Sequence, residues 1–185
     1  MHDRRQVLLG LAFTLGGANA LAACEGNSED AILQAVRPSG RLNFYSRAEF
    51  RLLGVLSDAI VPRTETPGAL DVQVPAYMDA MMNAWASGET KRAQKAALRA
   101  IRSELGSDFM RLLDEECRAA VAALDARAFA EQGELSGQYR ALKSLIASVY
   151  YASEPGATQE LQYELVPGRW DGDAPLSEIG RTWYE

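Results

Sequence analysis

The sequence predicts an all-α fold, an irregular bundle of about five helices followed by an extended, aromatic, proline-rich C-terminal tail. Three observations carry that reading. Apolar residues recur at spacings of three and four in five successive segments. Serine, proline and glycine stand where helices start and stop. No run shows the sustained alternation of a sheet strand.

The elements follow in order. Ser46 with Glu49 forms a capping-box signature. The helix behind it carries Phe50, Leu53, Leu56 and Ile60 on one face and ends at Pro62. A turn-rich loop, Arg63 to Ala69, leads to Pro75, which suits a first helical turn. Tyr77, Met78, Met81, Met82 and Trp85 form the second helical face, and Gly88 is expected to break that helix. A third helix runs from near Glu89 to Leu105, with Ala93, Ala97, Leu98, Ile101 and Leu105 apolar, and stops at Gly106. Ser107 is the expected cap of a fourth, which carries Phe109, Leu112, Leu113, Val121 and Leu124; Phe129 opens a short further segment. Gly133 and Gly137 bracket a break before a fifth helix over Gln138–Tyr151, with Tyr139, Leu142, Leu145, Ile146 and Val149 inward. Three parts of the chain follow: 1–23 as a leader, 24–45 as a linker or arm, and 46–185 as one helical domain with its tail.

Composition narrows the chemistry. The 185 residues are 48% hydrophobic and 24% charged, a globular balance. The net charge of −6 argues against a nucleic-acid partner, which would require a basic face. The one histidine is His2, and the two cysteines are Cys24 and Cys117. A chain without its first residues has no imidazole, which excludes Ser-His and Cys-His catalysis and histidine-ligated zinc. No dinucleotide fingerprint, phosphate loop or nucleophile elbow occurs. No catalytic, metal-ligating or cofactor-binding residue is therefore assigned to this chain. Acid–base work by the carboxylates of Asp114, Glu115 and Glu116 is the one enzymatic alternative; as a run on a helix they read as a solvated face.

The start reads as an address. Arg4 and Arg5 precede a modestly apolar stretch, Val7 to Ala23, interrupted by Gly10, Gly16 and Gly17. That is the layout of a twin-arginine export signal, which delivers folded cargo to its translocase. A membrane anchor would need about 20 strongly apolar residues. Leu21-Ala22-Ala23-Cys24 resembles a lipobox, so Cys24 is a candidate lipidation site, the alternative being an ordinary residue in an N-terminal tail. Removal of residues 1–23 leaves 17 basic and 24 acidic residues. The expected location is the periplasm, with membrane association through partners or a Cys24 lipid. In that oxidising setting Cys117 is either buried and inert or bonded to a partner subunit.

The tail holds two of the three tryptophans, and Pro155, Gly156, Pro167, Gly168 and Pro175 prevent a continuous helix. Such a segment packs on its own bundle, favoured for Tyr163 and Trp170, or on a partner, favoured for Trp183 and Tyr184. All four are candidate interface residues.

Several short motifs share one order and spacing over most of residues 46–172: Ile60-Val61-Pro62, Thr66-Pro67-Gly68-Ala69, Val74-Pro75, Tyr151-x-Ser153-Glu154-x-Gly156 and Leu161-x-Tyr163-x-x-Val166-Pro167-Gly168. In them the chain resembles the small (third) subunit of gluconate 2-dehydrogenase, with Pro155 a departure inside the fourth motif. The resemblance implies a non-catalytic subunit of an FAD-dependent sugar or alcohol dehydrogenase. It implies a large FAD-binding partner of the glucose–methanol–choline type and a multihaem cytochrome c, so that FAD and haem c belong to partners. It also implies that the small subunit exports, matures and stabilises the large one through the twin-arginine translocase. Within that reading Pro67-Gly68 sets a sharp turn, and Glu154 beside Tyr150 and Tyr151 is the expected anchor of the tail. The competing expectation is a stand-alone envelope lipoprotein that binds a ligand or partner through its aromatic tail.

Overall fold

The computed structural model describes residues 40–112 and 114–162, together with Pro175, Ser177, Gly180, Thr182 and Trp183. Among these residues there are five α-helices, as the periodicity predicts: α1 (Arg47–Ile60), α2 (Val74–Ala84), α3 (Gly88–Leu105), α4 (Asp114–Ala130) and α5 (Glu134–Tyr151). A 3-10 turn, Phe109–Arg111, precedes α4, and a π-helical turn, Gly156–Glu160, follows α5.

Local chemistry explains the boundaries. The Ser46 hydroxyl accepts from Glu49 N at 3.3 Å, and the Glu49 carboxylate accepts from Ser46 N at 2.8 Å, closing the capping box of α1. Pro75 lies in the first turn of α2, where a missing N–H goes unnoticed. Gly88 does not break a helix: it is the first residue of α3, and Ser87 caps it by accepting from Thr90 N at 3.1 Å. Gly106 ends α3 with φ +85°, a conformation strained for other residues.

Three further boundary expectations are corrected. Ser107 caps nothing, because α4 starts only at Asp114; the 3-10 turn intervenes and drives Phe109 into the core. Phe129 opens no new segment, but ends α4 on its solvent side. Gly137 lies within α5, which begins at Glu134 rather than Gln138. An interior helical glycine is tolerated here because α5 is held by packing rather than propensity.

α5 is the hub and touches all four other helices. Its Tyr139, Leu142, Leu145, Ile146 and Tyr150 are buried on several sides, so one helix supplies the core to all the others. α1 contributes Leu52, Leu53 and Leu56, α2 contributes Met78, Met81 and Met82, α3 contributes Leu98 and Ile101, and α4 contributes Val121 and Leu124. Each fully buried Leu or Met contributes about 1.5–3 kcal/mol. Ion pairs stitch the perimeter: Lys143 with Asp125 at 2.6 Å between α5 and α4, and Arg118 with Asp58 at 3.9 Å between α4 and α1. Exposed pairs of this kind contribute little individually.

One position runs against helix economy. Gly54 stands mid-way along α1, where glycine costs about 1 kcal/mol relative to alanine. A methyl group there would meet only Leu70 Cδ2, at 4.0 Å, so packing within the chain does not demand glycine.

Candidate functional site

Two turns far apart in sequence close on each other at one end of the bundle. The first joins α1 to α2. Ala69 N donates to Val61 O at 2.9 Å and Val74 N to Ala69 O at 2.9 Å, folding the loop back on itself. The Asp71 carboxylate accepts from Gly68 N at 2.8 Å and pairs with Arg63, which holds its carboxyl below the usual range. Gly68 is required by close approach: a Cβ there would lie 2.5 Å from Arg63 N and 2.8 Å from Pro62 C.

The second turn follows α5. Ser153 Oγ donates to Tyr150 O at 2.6 Å and accepts from Gly156 N at 3.2 Å. Leu161 N reaches Gly156 O at 3.1 Å, the bond that closes the π turn. A Cβ on Gly156 would lie 2.2 Å from Tyr150 O, again against backbone. Pro155 fits as the residue leading into this turn, because its φ of −63° is the ring's own value. The departure from the motif is therefore absorbed without distortion.

The two turns are then joined by side chains. Tyr150 Oη donates to Pro67 O at 2.7 Å across 83 residues, and the Thr66 hydroxyl donates to the Glu160 carboxylate. Burial pushes the Tyr150 phenol up, so it stays a donor. Thr66-Pro67-Gly68 and Tyr150 to Gly156, read in the sequence as separate motifs, are thus two halves of one lock. The carboxylate that crosses it is that of Glu160, a residue in none of those motifs. The tail returns beside the lock: Gln162 N donates to Thr182 O at 2.8 Å, and Gln162 pairs with Trp183 in a parallel bridge. Trp183 is half-buried there.

A second fastening holds the arm. Asp79 on α2 is 2% exposed, and its carboxylate accepts from Asn43 N at 2.8 Å, Phe44 N at 3.0 Å and Tyr45 N at 2.8 Å. Lys95 of α3 completes it. Its ammonium donates to Phe44 O at 2.9 Å and to Glu49 at 2.7 Å, and lies 4.7 Å from the centre of the Phe44 ring. Sequence reading missed Asp79, because nothing marks one aspartate in a helix as the acceptor for three amides 34 to 36 residues earlier.

Of the remaining sites, Cys117 lies in the core, where its thiol donates to Phe109 O at 3.5 Å. Burial, then the neighbouring Asp114 and Glu116, push that thiol up and away from the reactive thiolate. Asp114, Glu115 and Glu116 are exposed in the first turn of α4, where negative charge suits the helix dipole. Arg4, Arg5, Cys24, Tyr163, Trp170 and Tyr184 lie outside the described residues. Among the described residues no group of three or more His, Cys, Asp or Glu could hold a metal, and no helix is long and apolar enough to cross a membrane.

Four helices around a hub helix, two interlocked turns and a fastened arm define a small all-α domain. The family described as gluconate 2-dehydrogenase subunit 3 matches residues 47–168, about two thirds of the chain. The chain belongs to that family, small subunits of a dehydrogenase complex. The matched span runs from the start of α1 past the second turn and so contains the whole lock. Neither a curated protein nor a solved structure matches the sequence.

Proposed function

We propose that this chain is the non-catalytic accessory subunit of an FAD-dependent sugar or sugar-acid dehydrogenase, and that it exports, matures and stabilises a catalytic partner of the glucose–methanol–choline type. The observation that carries the reading is the family match over the whole interlocked scaffold. The Arg4-Arg5 leader supports the export role. Flavin is inserted in the cytoplasm, so the loaded partner must cross the membrane folded. A translocase that accepts folded cargo can carry a partner without its own signal, provided that the two chains bind tightly first. FAD is held by the large subunit, and a multihaem cytochrome c takes its electrons. The complex resides in the periplasm, attached through partner subunits or a Cys24 lipid.

The test is co-expression with the large FAD-binding subunit, with dye-linked dehydrogenase activity measured in periplasmic and cytoplasmic fractions. Periplasmic activity is expected only when both chains are present. Replacing both leader arginines (Arg4→Lys with Arg5→Lys) is expected to retain the flavin-loaded complex in the cytoplasm. An active, exported large subunit in the absence of this chain would overturn the proposal.

A further inference from the structure

We infer that the groove between α1 and the loop leading into α2 is a docking site for an apolar, acid-flanked peptide segment of the partner subunit; this rests on the proposed function and names the face that serves it. The groove is open, about 440 Å³, and lined by Phe50, Gly54, Val55, Leu70, Pro75 and Ala76, with Arg51 and Gln73 as its polar residues.

Two residues in it are uncommon for their place in the fold, a glycine inside a helix and a glutamine with positive φ. Gly54 is the first. Alanine would fit in this chain and favour the helix, so the absent Cβ leaves room for the close approach of another backbone. Gln73 stands beside it with φ +58°, and among the described residues it is the one non-glycine residue in the left-handed region. Its side chain forms no cap for α2. Strain of this kind persists where the surrounding structure imposes it, and it collects at binding sites. Here bonds at Gln73 N and Val74 N, and the Asp71 clamp on Gly68, impose it.

The same rigid loop presents Leu70 at 48% exposure between buried Ala69 and half-buried Val72. An exposed leucine on a loop braced this firmly cannot fold inward, so nothing among the described residues covers it.

The polar groups state the occupant's chemistry. A carboxamide offers one donor face and one acceptor face, the complement of a peptide group. Arg51, whose Nε is committed to Arg47 O at 3.5 Å, has its terminal nitrogens to offer a carboxylate. In a chain of net charge −6, Arg51 is the one charged residue of the groove's lining, and it is a cation. A segment with apolar side chains for Phe50, Val55 and Leu70, a backbone against Gly54 and an acidic residue at Arg51 matches the groove.

The experiment uses the full chain co-expressed with the large FAD-binding subunit. A photo-crosslinking amino acid is placed at Leu70 and, as a control, at Phe129 on the far end of α4. A crosslink from position 70 to the large subunit, absent from position 129, is the expected result. Gly54→Leu is expected to lower co-purification at least tenfold, and Gly54→Ala to weaken it while raising the Tm of the isolated chain by a few degrees. That last pairing separates docking from a structural role, under which Gly54→Ala would lower the Tm. Co-purification with position 70 silent overturns this inference and leaves the proposed function standing. So does a crosslink from position 70 to residues 1–39 of this chain or to a second copy. Failure of the wild-type chains to co-purify overturns both.

Discussion

Asp79 is the position where removal of one side chain should cost the most for its size. Asp79→Ala deletes the acceptor of three backbone amides, those of Asn43, Phe44 and Tyr45. The Tyr45 amide is buried and would be left without a partner, a loss of about 1–3 kcal/mol. The other two are part-buried and regain water in part, so each contributes about 0.5–1 kcal/mol. The sum is about 2–5 kcal/mol, a fall in Tm of roughly 8–20 °C at about 4 °C per kcal/mol for a domain of this size. Asp79→Asn keeps one oxygen but turns an amide donor toward a backbone donor, and should lose about 1–3 kcal/mol. Urea unfolding followed by circular dichroism measures the global effect. Amide hydrogen exchange measures the local one: protection at Tyr45 should collapse in Asp79→Ala, whereas Asp79→Asn can keep the oxygen that Phe44 and Tyr45 share and sets its NH2 against the Asn43 amide. If Asp79→Ala unfolds within about 0.5 kcal/mol of the parent and the Tyr45 amide stays protected, the fastening does not hold the arm and the reasoning is wrong.

Further outcomes follow from the same contacts. Gly156→Ala places a Cβ 2.2 Å from Tyr150 O, and backbone cannot step aside cheaply; a loss of about 1–3 kcal/mol or more is expected in chemical denaturation. At Glu49, burial raises the carboxyl, but the bonds from Lys95 and Ser46 outweigh it and hold the group below its usual value. A depressed folded pKa stabilises above the unfolded value of about 4.3 and loses that contribution as pH falls through the folded one. Stability should therefore decline below about pH 4.3, and Glu49→Gln should flatten that acid limb in a series of denaturation curves. The Cys117 thiol, buried and raised, should react with a thiol reagent at pH 8 only after unfolding; rapid labelling of the native chain would contradict its placement. Cys117→Ser should cost less than about 1.5 kcal/mol, because Phe109 O and Leu112 O remain to accept from a hydroxyl.

Helix identity was written in local chemistry, so it could be read directly. The Ser46–Glu49 box, Pro75 in a first turn and the three-and-four spacing of Leu53, Leu56, Met78, Met82, Leu98 and Ile101 each depend on residues within a turn or two. Local signals misled where two of them competed. Ser87 and Gly88 could end one helix or begin the next, and Ser107 offered a cap that the buried Phe109 overrode. The candidate site was legible only in part. Its glycines and prolines announced turns at Pro67-Gly68 and Gly156, but nothing announced that the turns meet.

The sequence by itself determined the helical class, the number of helices, most of the inward faces and the want of a histidine beyond the leader, because these follow from periodicity, capping and composition. Tertiary structure alone decided that Tyr150 reaches Pro67, that Thr66 reaches Glu160, and that Asp79 receives the arm. Those contacts join residues from 34 to 94 positions apart, and one tyrosine or carboxylate in a sequence carries no mark of which distant amide or carbonyl the packed helices will bring to it.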